Sequence, residues 1–130
     1  EDVPLKEGVR EYLAKLKKGK VRMCVASATA EHLMEACLKR LGVLEDFEFL
    51  LSCETVGAGK HSPEVYHAAV EKLGAKPEDT AVYEDALHAV ETAKKAGFYV
   101  AAVYDDNGKD NWKKISETAD ETIMNWEDAL

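Results

Sequence analysis

The feature that most constrains the fold is a regular alternation between short apolar runs and longer segments with helical periodicity. The apolar runs lie at residues 21–26, 47–53, 80–83, 98–104 and 122–124. Strands buried on both faces of a parallel sheet are typically continuous apolar runs of this kind. Helices between successive strands are the usual connection in such a sheet. The sequence therefore predicts an α/β fold, a Rossmann-like three-layer arrangement with helices on both faces of a parallel sheet.

The intervening segments have the apolar spacing of amphipathic helices. It predicts helices over residues 8–18, 30–41, 64–73, 86–96 and 112–118. Pro63 suits a helix start, and Ser27 or Thr29 is expected to cap the second helix. Glycine is the commonest residue just past a helix end, and it follows four of these segments, as Gly19, Gly42, Gly74 and Gly97.

The composition argues against some classes of binding partner. The chain has 130 residues, enough for one domain, and a formal net charge of -8. Nucleic acids and anionic membranes attract cationic surfaces, so we expect neither as a partner. The sequence has no apolar run long enough to span a bilayer, and its three cysteines have no metal-ligand spacing. A cytoplasmic location is the expectation.

Polar residues follow the predicted strands, and these are the candidate functional positions. Ligands of open parallel sheets bind beyond the carboxyl ends of the strands. Ser27 and Ala28 follow the first run, Lys60 lies in the loop after the second, and Glu84 and Asp85 end the third. A hydroxyl with free N–H groups can hold phosphate, a lysine can neutralise a phosphoryl group, and paired carboxylates can hold Mg²⁺.

Each of these positions also has an ordinary structural explanation. Ser27 can serve as a helix cap, and Lys60 as a solvated loop residue. Glu84 and Asp85 can be carboxylates favoured by the dipole at a helix start. Asp105 and the polar residues after it are typical of a turn. The functional interpretation depends on several such positions occurring at successive strand ends.

Three segments resemble motifs of the haloacid dehalogenase-like (HAD-like) superfamily. They are Val-Ala-Ser-Ala-Thr at 25–29, Gly-Lys-His-Ser-Pro at 59–63 and Tyr-Glu-Asp-Ala at 83–86. Their order and spacing are similar to those of the branch that contains β-phosphoglucomutase and sugar-phosphate phosphatases. The resemblance covers nearly the whole chain. It implies that residues 1–130 are the C-terminal portion of a HAD-like core domain.

The resemblance also implies roles for these residues. Ser27 and the Ala28 N–H would bind phosphoryl oxygens, and Lys60 would bridge the phosphoryl group and the nucleophile. Asp85, with Glu84, would bind Mg²⁺. The implied activity is Mg²⁺-dependent phosphotransfer through an aspartyl-phosphate, with hydrolysis of a small phosphorylated metabolite favoured over a phosphomutase reaction.

The family's first motif, Asp-x-Asp at the end of a central strand, does not occur in these 130 residues. The resemblance places that strand, and a cap domain, upstream. The chain alone is therefore expected to be inactive. The strand would lie between those ending at Ser27 and Glu84, and its absence would leave their main-chain groups without partners.

Three outcomes stay open for that gap. An N-terminal segment or companion chain supplies the strand, the flanking strands pair directly, or the sequence is part of a longer molecule. Two other function classes are weighed as well. One is a non-enzymatic HAD-like binding module, or the half of a split domain that a partner completes. The other is a receiver-like signalling domain, disfavoured because Asp85 lacks the acidic cluster that such a site needs.

Overall fold

The computed structural model describes residues 8–57, 59 and 62–126. The strands are β1 (Val25–Ser27), β2 (Leu50–Ser52), β3 (Ala81–Glu84), β4 (Tyr99–Val103) and β5 (Glu121–Ile123). The helices are α1 (Val9–Lys18), α2 (Glu31–Leu41), α3 (Cys53–Val56), α4 (Glu64–Leu73), α5 (Leu87–Lys95) and α6 (Trp112–Thr118). Short 3-10 helices occupy Leu44–Asp46, Pro77–Asp79 and Asp106–Asn111. The predicted α/β alternation is confirmed.

The first two strands are shorter than predicted. Lys20 has a left-handed backbone, and the Val21 N–H donates to the carbonyl of Leu16, so residue 21 belongs to the turn that ends α1. At the end of β2, the Ser52 hydroxyl accepts the Glu54 N–H at 3.1 Å, which caps α3. Cys53 is therefore helical and not, as predicted, the last residue of a strand.

The strands pair in parallel, but in two separate groups. β1 pairs with β2, and β3, β4 and β5 pair in that order. Within the ranges that the structure describes, no ladder joins β1 to β3. Direct pairing of these two strands, one of the open outcomes, is therefore not what the structure shows.

Two helices cover opposite faces of β3. Consecutive strand residues direct their side chains to opposite faces. The Tyr83 hydroxyl lies 2.7 Å from that of Tyr12 on α1, whereas Glu84 accepts a hydrogen bond from Tyr66 on α4. Because α1 and α4 contact adjacent residues, they must lie on different faces. This is the predicted three-layer arrangement.

Helix α4 also joins the two groups of strands. It contacts β1 and β2, and its Tyr66 reaches β3. One apolar cluster runs from Leu51 on β2, through Val65 and Val70 on α4, to Val100 on β4. The domain therefore has a continuous core although its sheet is divided.

A groove of about 640 Å³ lies between β1 and β3. Residues of β1, β3, α1 and α4 line it, together with Trp126. The Trp126 ring lies 4.9 Å from that of Tyr12 and 6.0 Å from that of Tyr83. Trp126 therefore packs at the groove, beside β3.

Asp120 fixes the start of β5 against β4. Its carboxylate accepts the Val100 N–H at 2.8 Å and also binds the Lys94 ammonium at 2.9 Å. Both hydrogen bonds lower the pKa of Asp120 below its ordinary value of 3.8, and the bond from Val100 has the larger effect. The folded chain therefore binds this proton less readily than the unfolded chain does.

We predict a stability contribution from Asp120 that is full above about pH 4 and is lost as the pH falls through its lowered pKa. Asp120→Asn should lower the urea midpoint at about pH 7, and the difference from the wild type should shrink in acid. Asp110→Asn, an exposed change of the same kind, is the control. A difference that persists undiminished in strong acid would contradict the assignment.

Candidate functional site

Two of the predicted polar positions flank the same groove. Its lining includes Ala26 on the β1 side and Glu84 on the β3 side, and each strand ends within one residue of these positions. Ser27 and the Glu84–Asp85 pair therefore stand at strand ends on either side of the gap. Lys60, the third predicted position, lies outside the described residues.

Ser27 is half-buried, and its hydroxyl accepts the Thr29 N–H at 3.1 Å. Helix α2 starts at Glu31 with Ala30 at its N-cap, where no side chain caps it. The prediction that Ser27 or Thr29 caps α2 is therefore wrong: Ser27 stabilises the turn before the helix. Ala28 is exposed in that turn, and its N–H is the main-chain donor next to the hydroxyl, because the Thr29 N–H is already bonded to Ser27.

Glu84 is a buried carboxylate, with 9% of its surface exposed. The Tyr66 hydroxyl donates to its Oε2 at 2.8 Å. Burial, and then the nearby charge of Glu84, raise the pKa of Tyr66 well above its ordinary value. The phenol therefore stays protonated at all physiological pH values and is a permanent donor to Glu84.

Asp85 follows Glu84 and is exposed. The loop after β4 packs closely on its main chain: a Cβ added to Gly108 would lie only 3.0 Å from the Asp85 carbonyl oxygen. A side chain at 108 would push this carbonyl away, so glycine allows the two loops to meet. The turn predicted around Asp105 is the 3-10 helix Asp106–Asn111, with the Gly108 N–H bonded to the Asp105 carbonyl at 2.9 Å.

The donor chemistry suits a hard cation. Mg²⁺ is commonly held by one or two carboxylates, with water and substrate phosphate completing its octahedron. Glu84 and Asp85 supply two carboxylates at the end of β3. Across residues 8–57, 59 and 62–126, no three His, Cys, Asp or Glu side chains converge as a metal cluster. The two carboxylates are of the donor type that Mg²⁺ accepts; Glu84 is buried against Tyr66, and Asp85 is exposed.

Two contributors were not predicted from the sequence. Tyr66 holds Glu84, and Glu31 accepts the Ser52 N–H at 3.1 Å and the Thr55 hydroxyl at 3.0 Å. Glu31 thereby ties the start of α2 to the end of β2. A signal for Tyr66 exists, since a phenol on the apolar face of a helix needs a hydrogen-bond partner. Nothing in the sequence indicates that the partner is Glu84.

We predict that Tyr66→Phe lowers the free energy of unfolding by about 1–3 kcal/mol, because a buried carboxylate loses a donor. Tyr99→Phe is the matched control. It removes a Tyr–Glu hydrogen bond of the same length, 2.8 Å, from the surface, and should cost less than about 1 kcal/mol. Urea denaturation at neutral pH measures both. Equal effects would show that burial does not strengthen the Tyr66–Glu84 bond.

The chain is similar in sequence or fold to proteins of known function or structure. The chain is 36% identical over 90 residues to the phosphorylated carbohydrates phosphatase of Thermotoga maritima, and 28% identical over 96 residues to the β-phosphoglucomutase of Bacillus subtilis. These matches cover 69% and 74% of the chain. The crystal structure of CbbY from Rhodobacter sphaeroides superposes with a TM-score of 0.84 over 97% of the chain and 56% of CbbY, at 24% identity, and so supports the fold.

The matched region spans 42% of the length of each of those two curated relatives. A model of the haloacid dehalogenase-like hydrolase family matches residues 1–97, which is most of the chain. The recognised motifs at 25–29, 59–63 and 83–86 all lie within that match. The chain therefore belongs to the haloacid dehalogenase-like hydrolase family.

Proposed function

We propose that the complete protein is a Mg²⁺-dependent phosphatase of small phosphorylated metabolites. The observation that carries the proposal is the arrangement of Ser27 and the Glu84–Asp85 pair at strand ends on the two sides of one groove. The similarity to a phosphatase of phosphorylated carbohydrates supports the substrate class. The groove's carboxyl end thus offers an anion-binding turn opposite a cation-binding pair.

Each residue has a proposed task. The Ser27 hydroxyl and the Ala28 N–H bind the non-bridging oxygens of the phosphoryl group, and Lys60 neutralises its charge. Glu84 and Asp85 hold Mg²⁺, which when bound neutralises phosphoryl oxygens. The hydrogen bond from Tyr66 on α4 fixes the Glu84 carboxylate, so that Glu84 is oriented before Mg²⁺ binds.

The nucleophile is proposed to come from outside residues 1–130. No Asp-x-Asp segment occurs in this sequence. Without a nucleophile no covalent phosphoryl intermediate forms, so Ser27, Lys60 and Asp85 would bind substrate without turning it over. We therefore propose that the 130-residue chain is inactive alone.

A phosphomutase is the second candidate, favoured by the similarity to β-phosphoglucomutase. A mutase and a phosphatase need the same phosphate and cation sites. They differ in whether water or a sugar hydroxyl receives the phosphoryl group. Product analysis separates them, since a mutase returns an isomeric sugar phosphate and a phosphatase releases inorganic phosphate.

The proposed setting is the cytoplasm, with no nucleic acid or membrane as partner. Cys24, Cys37 and Cys53 are all free thiols, as a reducing compartment favours. None of the helices in the described ranges is long and apolar enough to cross a bilayer. The net charge of -8 repels anions in general. A small anionic substrate therefore needs local groups to hold it, as proposed for Ser27 and Lys60.

We predict that the 130-residue chain shows no Mg²⁺-dependent hydrolysis of p-nitrophenyl phosphate or hexose phosphates. The complete protein should hydrolyse them, and EDTA should abolish that activity. Asp85→Asn in the complete protein should lower kcat at least about 10²-fold, because charge stabilisation of the transferring group is lost. Phosphate release measures each rate.

Glu117→Gln removes one charge from the exposed part of α6 and serves as the control. It should leave kcat unchanged. Full activity of the 130-residue chain would overturn the proposal that its nucleophile lies elsewhere. Activity that survives EDTA or Asp85→Asn would overturn the role of the carboxylate pair.

A further inference from the structure

The turn that is proposed to bind phosphate, residues 27–29, connects β1 to α2. Its first residue is fixed by the sheet, because Ser27 ends β1 and pairs in register with Ser52 at the end of β2. Its other end leads into α2 through Ala30. Ala30 is the N-cap of α2 and caps it with no side-chain hydrogen bond. The start of the helix therefore lacks the local attachment that Ser, Thr, Asp or Asn supplies at an N-cap.

Glu31, the first residue of α2, supplies a different attachment. Its Oε2 accepts the Ser52 N–H at 3.1 Å, and its Oε1 accepts the Thr55 hydroxyl at 3.0 Å. Because each oxygen of the carboxylate has its own donor, the orientation of the group is fixed as well as its position. The start of α2 is thus held against the end of β2 and against α3.

The hydrogen bond from Ser52 is the stronger of the two attachments. Ser52 is 1% exposed, so water cannot take the place of a lost partner of its N–H. The Ser52 hydroxyl accepts the Glu54 N–H at 3.1 Å, so Ser52 is itself fixed to α3. Thr55 is exposed, and its bond to Glu31 competes with water.

Both ends of the phosphate-binding turn are therefore attached to one residue. The strand ladder fixes Ser27 beside Ser52, and the Ser52 N–H holds Glu31. Residues 28–30 span the chain between these two attachments. The direction of the Ala28 N–H consequently depends on both of them, and donors that bind an anion act best when their directions are set in advance.

Glu31 is itself unsuited to bind phosphate, because like charges repel. Both of its oxygens bind donors on β2 and α3. Its contribution to an anion site is therefore indirect, through the residues that it holds in place.

We propose that Glu31 is a positioning residue for the phosphate-binding turn. By holding the start of α2 on Ser52, it directs the Ala28 N–H and the Ser27 hydroxyl towards the same phosphoryl group. This role rests on the proposed function, since it assigns Glu31 a task in the same site. Without the attachment the turn has one fixed end, and ordering its donors then costs binding free energy.

The test uses the complete protein, with inorganic phosphate as the probe. The Ala28 amide signal, followed by NMR during a titration, gives the dissociation constant of phosphate without any turnover. Competitive inhibition gives a second value, and p-nitrophenyl phosphate gives KM. Glu31→Ala should raise all three constants at least about ten-fold, because the donors are no longer held in place. These constants are properties of folded molecules, so a loss of stability alone does not change them.

Two conservative variants separate the attachment from the charge. In Glu31→Gln the amide oxygen can accept the Ser52 N–H, and the amide NH₂ can donate to the Thr55 hydroxyl, which also accepts hydrogen bonds. Both bonds can form without the charge, so the dissociation constant of phosphate should stay within about two-fold of the wild-type value. Glu31→Asp keeps the charge but is one methylene shorter and cannot reach both donors. It should weaken phosphate binding as Glu31→Ala does.

Glu35→Ala is the matched control. It removes an exposed carboxylate from the same helix and should leave phosphate binding unchanged. Circular dichroism verifies that each variant keeps its helices. If Glu31→Ala does not fold, Glu31→Asp takes its place.

Three results would overturn the positioning role alone. The first is wild-type phosphate affinity in folded Glu31→Ala or Glu31→Asp with a lowered urea midpoint, which would limit Glu31 to stabilising the fold. The second is tighter phosphate binding in Glu31→Gln, which would show that repulsion by the charge dominates. The third is an equal loss of affinity in Glu31→Gln and Glu31→Ala, which would assign the effect to the charge and not to the attachment. A wild-type Ala28 amide that does not respond to phosphate would instead refute the proposed function, and the role of Glu31 with it.

Discussion

The buried face of α4 is the interaction on which the rest of the structure depends. Val65 is fully buried and Val70 nearly so, in the one core cluster that reaches from β2 to β4. A buried apolar side chain of this size contributes roughly 1.5–3 kcal/mol relative to exposure. No ladder joins the two groups of strands in the described ranges, so helix packing holds them together. The distance between β1 and β3 is thus set by a helix.

The same helix connects the core to the candidate site. The Tyr66 ring packs 6.0 Å from that of Phe98, inside the core, while its hydroxyl binds Glu84. The ring is fixed by packing, and the hydroxyl therefore points in a fixed direction. A carboxylate held this way loses little further freedom on binding a cation. The position of Glu84 is in this sense a consequence of core packing.

Sequence reasoning predicted the order of the elements better than their bounds. The alternation of apolar runs and helical segments is a local property, and it gave each of β1 to β5 in order. The ends of a strand depend on its neighbours. The run at 21–26 yields a strand only from Val25, where β2 lies alongside. Helix α4 was predicted to the residue because Pro63 and Gly74 mark its ends locally.

In the candidate site, too, the residues set by local sequence were predicted and those set by tertiary contacts were not. The rule that ligands bind at strand ends needs only the strand positions, and it selected Ser27 and Glu84. Tyr66 and Glu31 act through partners 18 and 21 residues away along the chain. Such pairs depend on tertiary packing, which no local pattern encodes. The packing of Trp126 against Tyr83 was missed for the same reason.

An open strand edge next to an apolar groove invites pairing with any exposed strand, and the aromatic cluster of Tyr12, Tyr83 and Trp126 bears on this hazard. The Tyr83 side chain stands on the α1 face of the sheet, 38% exposed, with the other two rings against it. These rings cover the face of β3 but not the plane of its hydrogen bonds. A single strand can therefore enter within the plane, whereas a second sheet approaching over that face meets the rings.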